Sequence, residues 1–505
     1  MSLETLAPAV LIGAVIVLIS VVGVRFAGRL GIPGLLLYLL LGLVLGTFVP
    51  VLGFDDAGLA TVLGYAALIL ILAKGGLTTR VDDLRPVMWP SIVLASIGVV
   101  VSIAVVAVPL VVFLDVDVQL AVLLGTVLAA TDAAAVFSIV RRLHVLPRLR
   151  TLLEAEAGFN DAPVVVLVSI VASGHFAEDP WWQVVLLILA ELVGGAAVGI
   201  AVGYGGRWLL PRLALPAVGL YPIAALALIV GAYGLADLAH ASGFMAVYIA
   251  AVLIGSAQRL PHRRSVMGFS DGLAWIAEIG LFVMLGLLAD VARLPEAVGV
   301  ALVAAGVLIV LARPLAALIS LAPFRWPAGH IAFTGIAGLR GAVPIVFAAI
   351  PLGLAVGGAE LVFDATLIVV LVLLIVQTPL LPFAARRLGV LVPDEAEELE
   401  LESAPLDGIG AVVLGVDIPD GSALVGTFVS EIGLPSAAVV SLIVRGRDAL
   451  AVDAHSRIRA GDRLVVVSTE EARQATEDRL RAVARDGRLA TWVHPPTRGR
   501  LRPGR

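Results

Sequence analysis

The most constraining feature of this 505-residue chain is a succession of thirteen apolar segments, separated by short loops whose charges alternate in sign. A spanning helix needs about 20 apolar residues at 1.5 Å each. The segments lie near 6–24, 33–50, 57–75, 88–113, 118–140, 151–172, 181–206, 216–236, 242–257, 270–289, 297–320, 330–350 and 361–384. Hydrocarbon offers no partner to an open backbone, so such segments are expected as helices. With 60% hydrophobic and 14% charged residues, the chain has the balance of a multi-pass membrane protein. Leu6 to Val24 lacks the basic n-region of a cleaved signal and reads as a first span.

The loop charges test that count. Arg25 and Arg29 are followed by Asp55 and Asp56, then by Arg80 and Arg85, then by Asp115 and Asp117. Arg141, Arg142, Arg148 and Arg150 precede Glu178 and Asp179; Arg207 and Arg212 precede Asp237; Arg259, Arg263 and Arg264 precede Asp290 and Glu296. Arg313 and Arg325, Glu360 and Asp364, then Arg386 and Arg387 complete the series, in which only Arg293 breaks the pattern on the acidic side. Basic loops mark the cytoplasmic side, so the N-terminus is expected outside and the C-terminus inside the cell membrane. With span seven as a spacer, spans one to six and eight to thirteen start on opposite sides. That is the layout of an inverted repeat.

After Leu391 the composition changes. Residues 391–404 read as an acidic linker and 405–492 as a small soluble domain. Its β-like runs are Ile409–Val416, Val439–Val444 and Arg463–Ser468, set off by turn signals, with a helical stretch from Glu470 to Ala484. Residues 493–505, rich in Arg, Pro and Gly, read as a disordered tail. The expected fold class is an all-α polytopic membrane domain over 1–390, with inverted repeats and broken crossing helices, plus a small cytosolic α+β domain.

Chemistry concentrates in Glu154 to Pro163, which reads Glu-Ala-Glu-Ala-Gly-Phe-Asn-Asp-Ala-Pro. An intramembrane ionisable cluster is a functional site by default. Asp161 lies ten residues into span six and Arg340 ten residues into span twelve, each about 15 Å deep and near the bilayer midplane. Thr131 and Asp132 sit mid-way along span five, so three segments place polar groups at one level. A buried Arg requires a partner, and Glu156 is assigned to Arg340, which leaves Asp161 free. In hydrocarbon a bare carboxylate is costly, so Asp161 holds either a proton or a monovalent cation. Competition for one carboxylate, exposed to each side in turn, is sufficient for antiport. Asn160 cannot carry a second proton, which favours one ion per proton and electroneutral exchange. Ala-Thr-Asp-Ala in span five and Gly338, Gly341 and Pro344 around Arg340 predict broken helices, with Asp132 balancing a half-helix N-terminus. Glu154 and Lys74 are accessory candidates. Glu191 and Glu278 lie in spans seven and ten with no motif around them and read as structural hydrogen-bond partners.

Other classes have less support. Cysteine is absent, which removes thiolate metal sites and cysteine nucleophiles. Basic residues are dispersed, so nucleic-acid binding is not expected. No carbonyl-filter sequence of a potassium channel is present. A channel or a receptor anchored by its spans remains the alternative to a carrier, and no enzymatic activity is expected.

Three motifs, Thr131-Asp132-Ala133-Ala134-Ala135-Val136-Phe137, Glu156-Ala157-Gly158-Phe159-Asn160-Asp161 and Gly338-Leu339-Arg340-Gly341-Ala342-Val343-Pro344-Ile345, occur in order. Together they resemble the cation/proton antiporter superfamily in its sodium–proton-exchanger-like branch. The wording is most similar to bacterial potassium/proton antiporters linked to cell-volume regulation. The resemblance implies Asp161 as ion and proton carrier with Asn160 beside it, a Glu156–Arg340 pair, Thr131 and Asp132 at the crossing of broken helices, and a homodimer. Potassium or sodium and the proton would be substrates, with no cofactor. Ala157 stands where relatives often carry Ser, and Lys74 where they often carry an acid. The first change removes an oxygen ligand and the second adds a cation, and both bear on ion preference. The tail resembles the C-terminal ligand-binding (TrkA-C-like) module of potassium-conductance regulators in Gly421-Ser422-Ala423-Leu424-Val425-Gly426, Glu431-Ile432-Gly433-Leu434-Pro435 and Gly461-Asp462-Arg463-Leu464. That likeness implies dimerisation and a regulatory nucleotide ligand.

Overall fold

A computed structural model describes residues 3–30, 33–48, 54–140, 143–174, 180–392, 401–406, 411–419, 421–446, 448–453, 455–469 and 471–487. Most of the expected linker and the whole of the expected tail lie outside them, as do Arg141, Arg142, Glu178 and Asp179. The chain divides into two compact units, residues 1–391 and 392–505.

The first unit is helical. Its elements are α1 (Leu3–Leu30), α2 (Gly34–Phe48), α3 (Ala57–Thr78), the single turn α4 (Val81–Leu84), α5 (Met88–Leu114), α6 (Val118–Ala129), α7 (Ala133–Val140) and α8 (Pro147–Ala172). They continue with α9 (Trp181–Leu209), α10 (Leu220–Leu238), α11 (Gly243–Gly255), α12 (Arg263–Leu288), α13 (Leu294–Val307), α14 (Arg313–Leu321), α15 (Ala328–Ala337), α16 (Ala342–Gly353) and α17 (Ala359–Arg387). Each of the thirteen expected segments coincides with one helix or with two in series. Among the described residues, eight helical runs are long and apolar enough to cross a membrane, and α15 with α16 makes a ninth, bent by 51°. Four shorter apolar helices, 10–25, 34–48, 118–129 and 243–255, fall on the remaining segments.

Two expected spans are broken. The fifth is interrupted between α6 and α7 and the twelfth between α15 and α16, seven spans apart, as an inverted repeat requires. The breaks touch: Asp132 N–H donates to the Leu339 carbonyl at 3.1 Å. Alongside them runs α8, whose residues from Thr151 to Val164 are all buried. By contrast, α9 buries only Gly195, Gly199, Gly203 and Gly206. A helix buried all round reads as a core element, and one buried along a single glycine stripe packs on one side only.

The second unit holds a five-stranded antiparallel sheet in the order β1-β2-β5-β3-β4. The strands are β1 (Leu401–Leu406), β2 (Ala411–Asp417), β3 (Ala438–Arg445), β4 (Asp448–Ala451) and β5 (Asp462–Thr469), followed by α18 (Arg473–Asp486). Strict alternation along β2 and β5 turns Val412, Leu414, Val416, Leu464 and Val466 into a core with Leu480 and Val483 of α18. The expected linker is shorter than 391–404, because β1 occupies its last residues and pairs with β2. Pro405 disguises β1 as coil, but Pro is tolerated on an edge strand.

Candidate functional site

The contact between the two breaks leaves four helix ends pointing into the protein interior, with carbonyls from α6 and α15 and amides from α7 and α16. Asp132, 2% exposed, answers the amides. Its carboxylate accepts from Ala135 N–H at 3.2 Å, in the first turn of α7, and from Ala342 N–H at 2.6 Å, at the start of α16. Arg340, fully buried, answers the carbonyls. It donates to Leu128 O at 2.9 Å and Ala129 O at 3.4 Å, closing α6, and to Gly338 O at 2.8 Å, closing α15. A negative group thus meets two positive helix ends and a positive group meets two negative ones. The breaks exist because the intervening residues are extended and a side chain takes over each lost backbone bond. A methyl on Gly341 would overlap the Asp132 carboxylate, and one on Gly338 would overlap the Arg313 guanidinium.

The expected pairing of Glu156 with Arg340 is corrected here. Glu156 is held by Arg313, with Nη1–Oε1 at 2.7 Å and Nη2–Oε2 at 3.2 Å, and both side chains are about 3% exposed. This two-pronged geometry satisfies both carboxylate oxygens. Arg340 is committed to carbonyls instead, since freed helix ends lie closer to it than any acid. Arg313 was assigned above to a basic loop. It lies inside the helical run 294–324, directly after a π-helical turn at Leu308–Ala312. Pro314, next in the chain, cannot donate to the backbone ladder, and a widened turn accommodates that loss. The signal was present in the sequence, because Arg313 falls within the apolar segment 297–320.

Asp161 differs from every acid around it. It is 1% exposed, and neither carboxylate oxygen has a hydrogen-bond partner. Asn160 beside it donates Nδ2–H to Thr131 Oγ1, joining α8 to the break, while its Oδ1 is unpartnered. Pro163 within α8 lacks the N–H that would close on the Phe159 carbonyl, so a further backbone oxygen is released near this pair. Asp132 is near enough for its charge to act on Asp161. The arrangement provides a bare carboxylate, an amide oxygen and a hydroxyl, which are hard ligands suited to a small cation or a proton.

The two accessory candidates, Glu154 and Lys74, each have an oppositely charged neighbour. Glu154 is buried next to Arg150, with Nε–Oε1 at 3.9 Å. Lys74 on α3 pairs with Asp271 on α12 and lies 5.5 Å from the Trp275 ring centre. Sequence reasoning also passed over Gln377 on α17, which donates to Ile336 O at 3.2 Å, near the end of α15.

A multi-span helical unit with two broken helices meeting at a buried acid has the architecture of a secondary transporter. Comparison with known proteins gives the family. The sodium/hydrogen exchanger transmembrane family matches residues 15–387, and the TrkA-C domain matches residues 413–481. The K(+)/H(+) antiporter NhaP of Alkalimonas amylolytica is 36% identical over 414 residues, covering 81% of this chain and 71% of its own. The K(+)/H(+) antiporter NhaP2 of Shewanella sp. (strain ANA-3) is 31% identical over 477 residues, covering 92% and 82%. The Na(+)/H(+) antiporter NhaP of Pseudomonas aeruginosa is 30% identical over 353 residues, covering 65% and 81%. The fold is similar to that of the sodium proton antiporter MjNhaP1 from Methanocaldococcus jannaschii, with a TM-score of 0.64 and 22% identity over 76% of this chain and 99% of that one. The chain belongs to the sodium/hydrogen exchanger family. It is a multi-span cation/proton antiporter carrying a TrkA-C domain.

Proposed function

We propose that the protein exchanges potassium, or alternatively sodium, for protons, one for one, by competition at Asp161. One observation carries this reading: among the acids around the crossing, only Asp161 is buried with both oxygens unpartnered. Asn160, its neutral neighbour, adds no second proton. Thr131 and Asp132 support the site from the break. Glu156 with Arg313, and Arg340 with the half-helix carbonyls, hold the scaffold. Two relatives carry the name K(+)/H(+) antiporter, which supports potassium, while a third is named for sodium. The alternation of loop charges supports an N-terminus outside and a cytoplasmic TrkA-C unit. The resemblance supports a homodimer and a regulatory nucleotide on that unit.

Proton flux in proteoliposomes, driven by potassium, sodium and lithium in turn, tests the reading. Saturable, electroneutral exchange that disappears in Asp161→Asn is expected. Retained exchange in that variant removes Asp161 from the mechanism. Single-channel currents would replace the carrier with a channel.

A further inference from the structure

Glu278 is a second buried carboxylate that the reading above does not use. It lies in α12, 5% exposed, and its Oε1 has no hydrogen-bond partner. It is therefore not the satisfied structural partner that the sequence suggested. A helix face brings it into a line of charge, since Asp271, Trp275 and Glu278 stand at i, i+4 and i+7 on α12. Lys74 of α3 lies against the first two members of that line. The next group inward, three residues or about 4.5 Å along the helix beyond Trp275, is Glu278. Asp132 at the crossing, Lys74 and Asp271 are the charged groups near enough to act on it. From α2 comes Tyr38, buried and near enough to feel its charge. The helices here meet closely, because a methyl on Gly42 would overlap the Val283 carbonyl and one on Gly286 the Leu39 carbonyl. A carboxylate in such a place needs a counter-charge or a proton, and Lys74 is occupied by Asp271 at the half-exposed end of the row.

We propose that Glu278 is a second proton-binding carboxylate of the membrane unit, and that Lys74 moves between Asp271 and Glu278, pairing with Glu278 when its proton leaves. The lysine stem is long and flexible, and the Trp275 face lies along its route. When Lys74 rests on Asp271, Glu278 is protonated. Loss of that proton draws Lys74 inward and leaves Asp271 to water, which its exposure allows. The protein would then carry a pH-responsive element that does not involve Asp161.

The test is site-specific labelling of Glu278 by a hydrophobic carbodiimide, which reacts with a protonated buried carboxyl, followed across pH by peptide mass spectrometry. The full-length protein in detergent is used. Lys74→Met removes the counter-cation, so labelling should persist to higher pH. Asp271→Asn releases Lys74 to Glu278, so labelling should be lost at lower pH. Opposite shifts of about 1–3 pH units are expected. No labelling of Glu278 at any pH, no shift, or shifts in one direction would overturn the proposal. A second arm measures exchange against pH in Glu278→Gln, where the profile should move or flatten; an unaltered profile also overturns it. Only this second arm rests on the antiport reading. Wild-type exchange and its loss in Asp161→Asn report on that reading separately.

Discussion

The crossing and the Asp161 carboxylate are linked through the hydrogen bond from Asn160 to Thr131, yet they solve the problem of buried charge in opposite ways. At the crossing every charge is matched. Asp132 caps two amide ends, Arg340 closes two carbonyl ends, and Glu156 is gripped by both prongs of Arg313. Asp161 has neither a cap nor an ion pair. A matched charge fixes structure, because moving it exposes unpaired groups on both sides. An unmatched one is available to whatever ligand arrives. The difference teaches that burial alone does not set Asp161 apart from the acids of the crossing; burial with both oxygens unpartnered does.

The largest effect expected from breaking this contrast is on Asp161. Asp161→Asn should abolish exchange in proteoliposomes while leaving the melting temperature in detergent unchanged or raised, since no partner is stranded and a group that can carry buried charge is removed. Next comes Arg313→Ala, which strands Glu156 in the interior and should cost about 3–5 kcal/mol, read as a lower melting temperature. Arg313→Ala together with Glu156→Gln should recover part of that loss. Recovery with Arg340 variants instead would mean that the pairing is wrong. Arg340→Ala follows with a smaller loss, because the Leu128, Ala129 and Gly338 carbonyls it leaves open are neutral and can be reached by water or by rearrangement. Gly341→Ala should weaken both stability and exchange, because the added methyl displaces the Asp132 cap.

The smallest effect lies in the second unit. Asp462 is buried, which by itself raises its carboxyl. The Arg445 guanidinium, at 2.8 Å to each oxygen, and the Arg459 amide more than offset this and hold the group below the usual carboxylate range. A group lowered in the folded state lends stability above its unfolded pKa and loses it as pH falls through the folded value. Amide-exchange protection along β3 and β5 in the full-length protein, taken relative to the intrinsic rate at each pH, should therefore be flat above the carboxylate range and fall below it. Asp462→Asn should remove that pH dependence.

Much of this was legible in the chain. Apolar runs and alternating loop charges gave the helices, and polar residues among small ones gave both breaks. Asp161, Asn160, Thr131 and Asp132 were legible as candidates because spacing along two adjacent spans placed them at one depth. The partner of Glu156 was not legible. Depth is a property of one segment, whereas pairing depends on which segments lie side by side. Two arginines were available, and the nearer one had been counted as a loop charge. Glu278 was similarly opaque, since no local pattern tells whether a buried acid will find a donor.

The sequence by itself determined that hydrocarbon would force this chain into helices, where those helices could not continue, and which side chains could not be left bare in lipid. Only the tertiary structure decided which charge answers which, because the carbonyls and amides released by two breaks compete with acids and bases for the same partners. That competition is settled by distances between segments far apart in the chain.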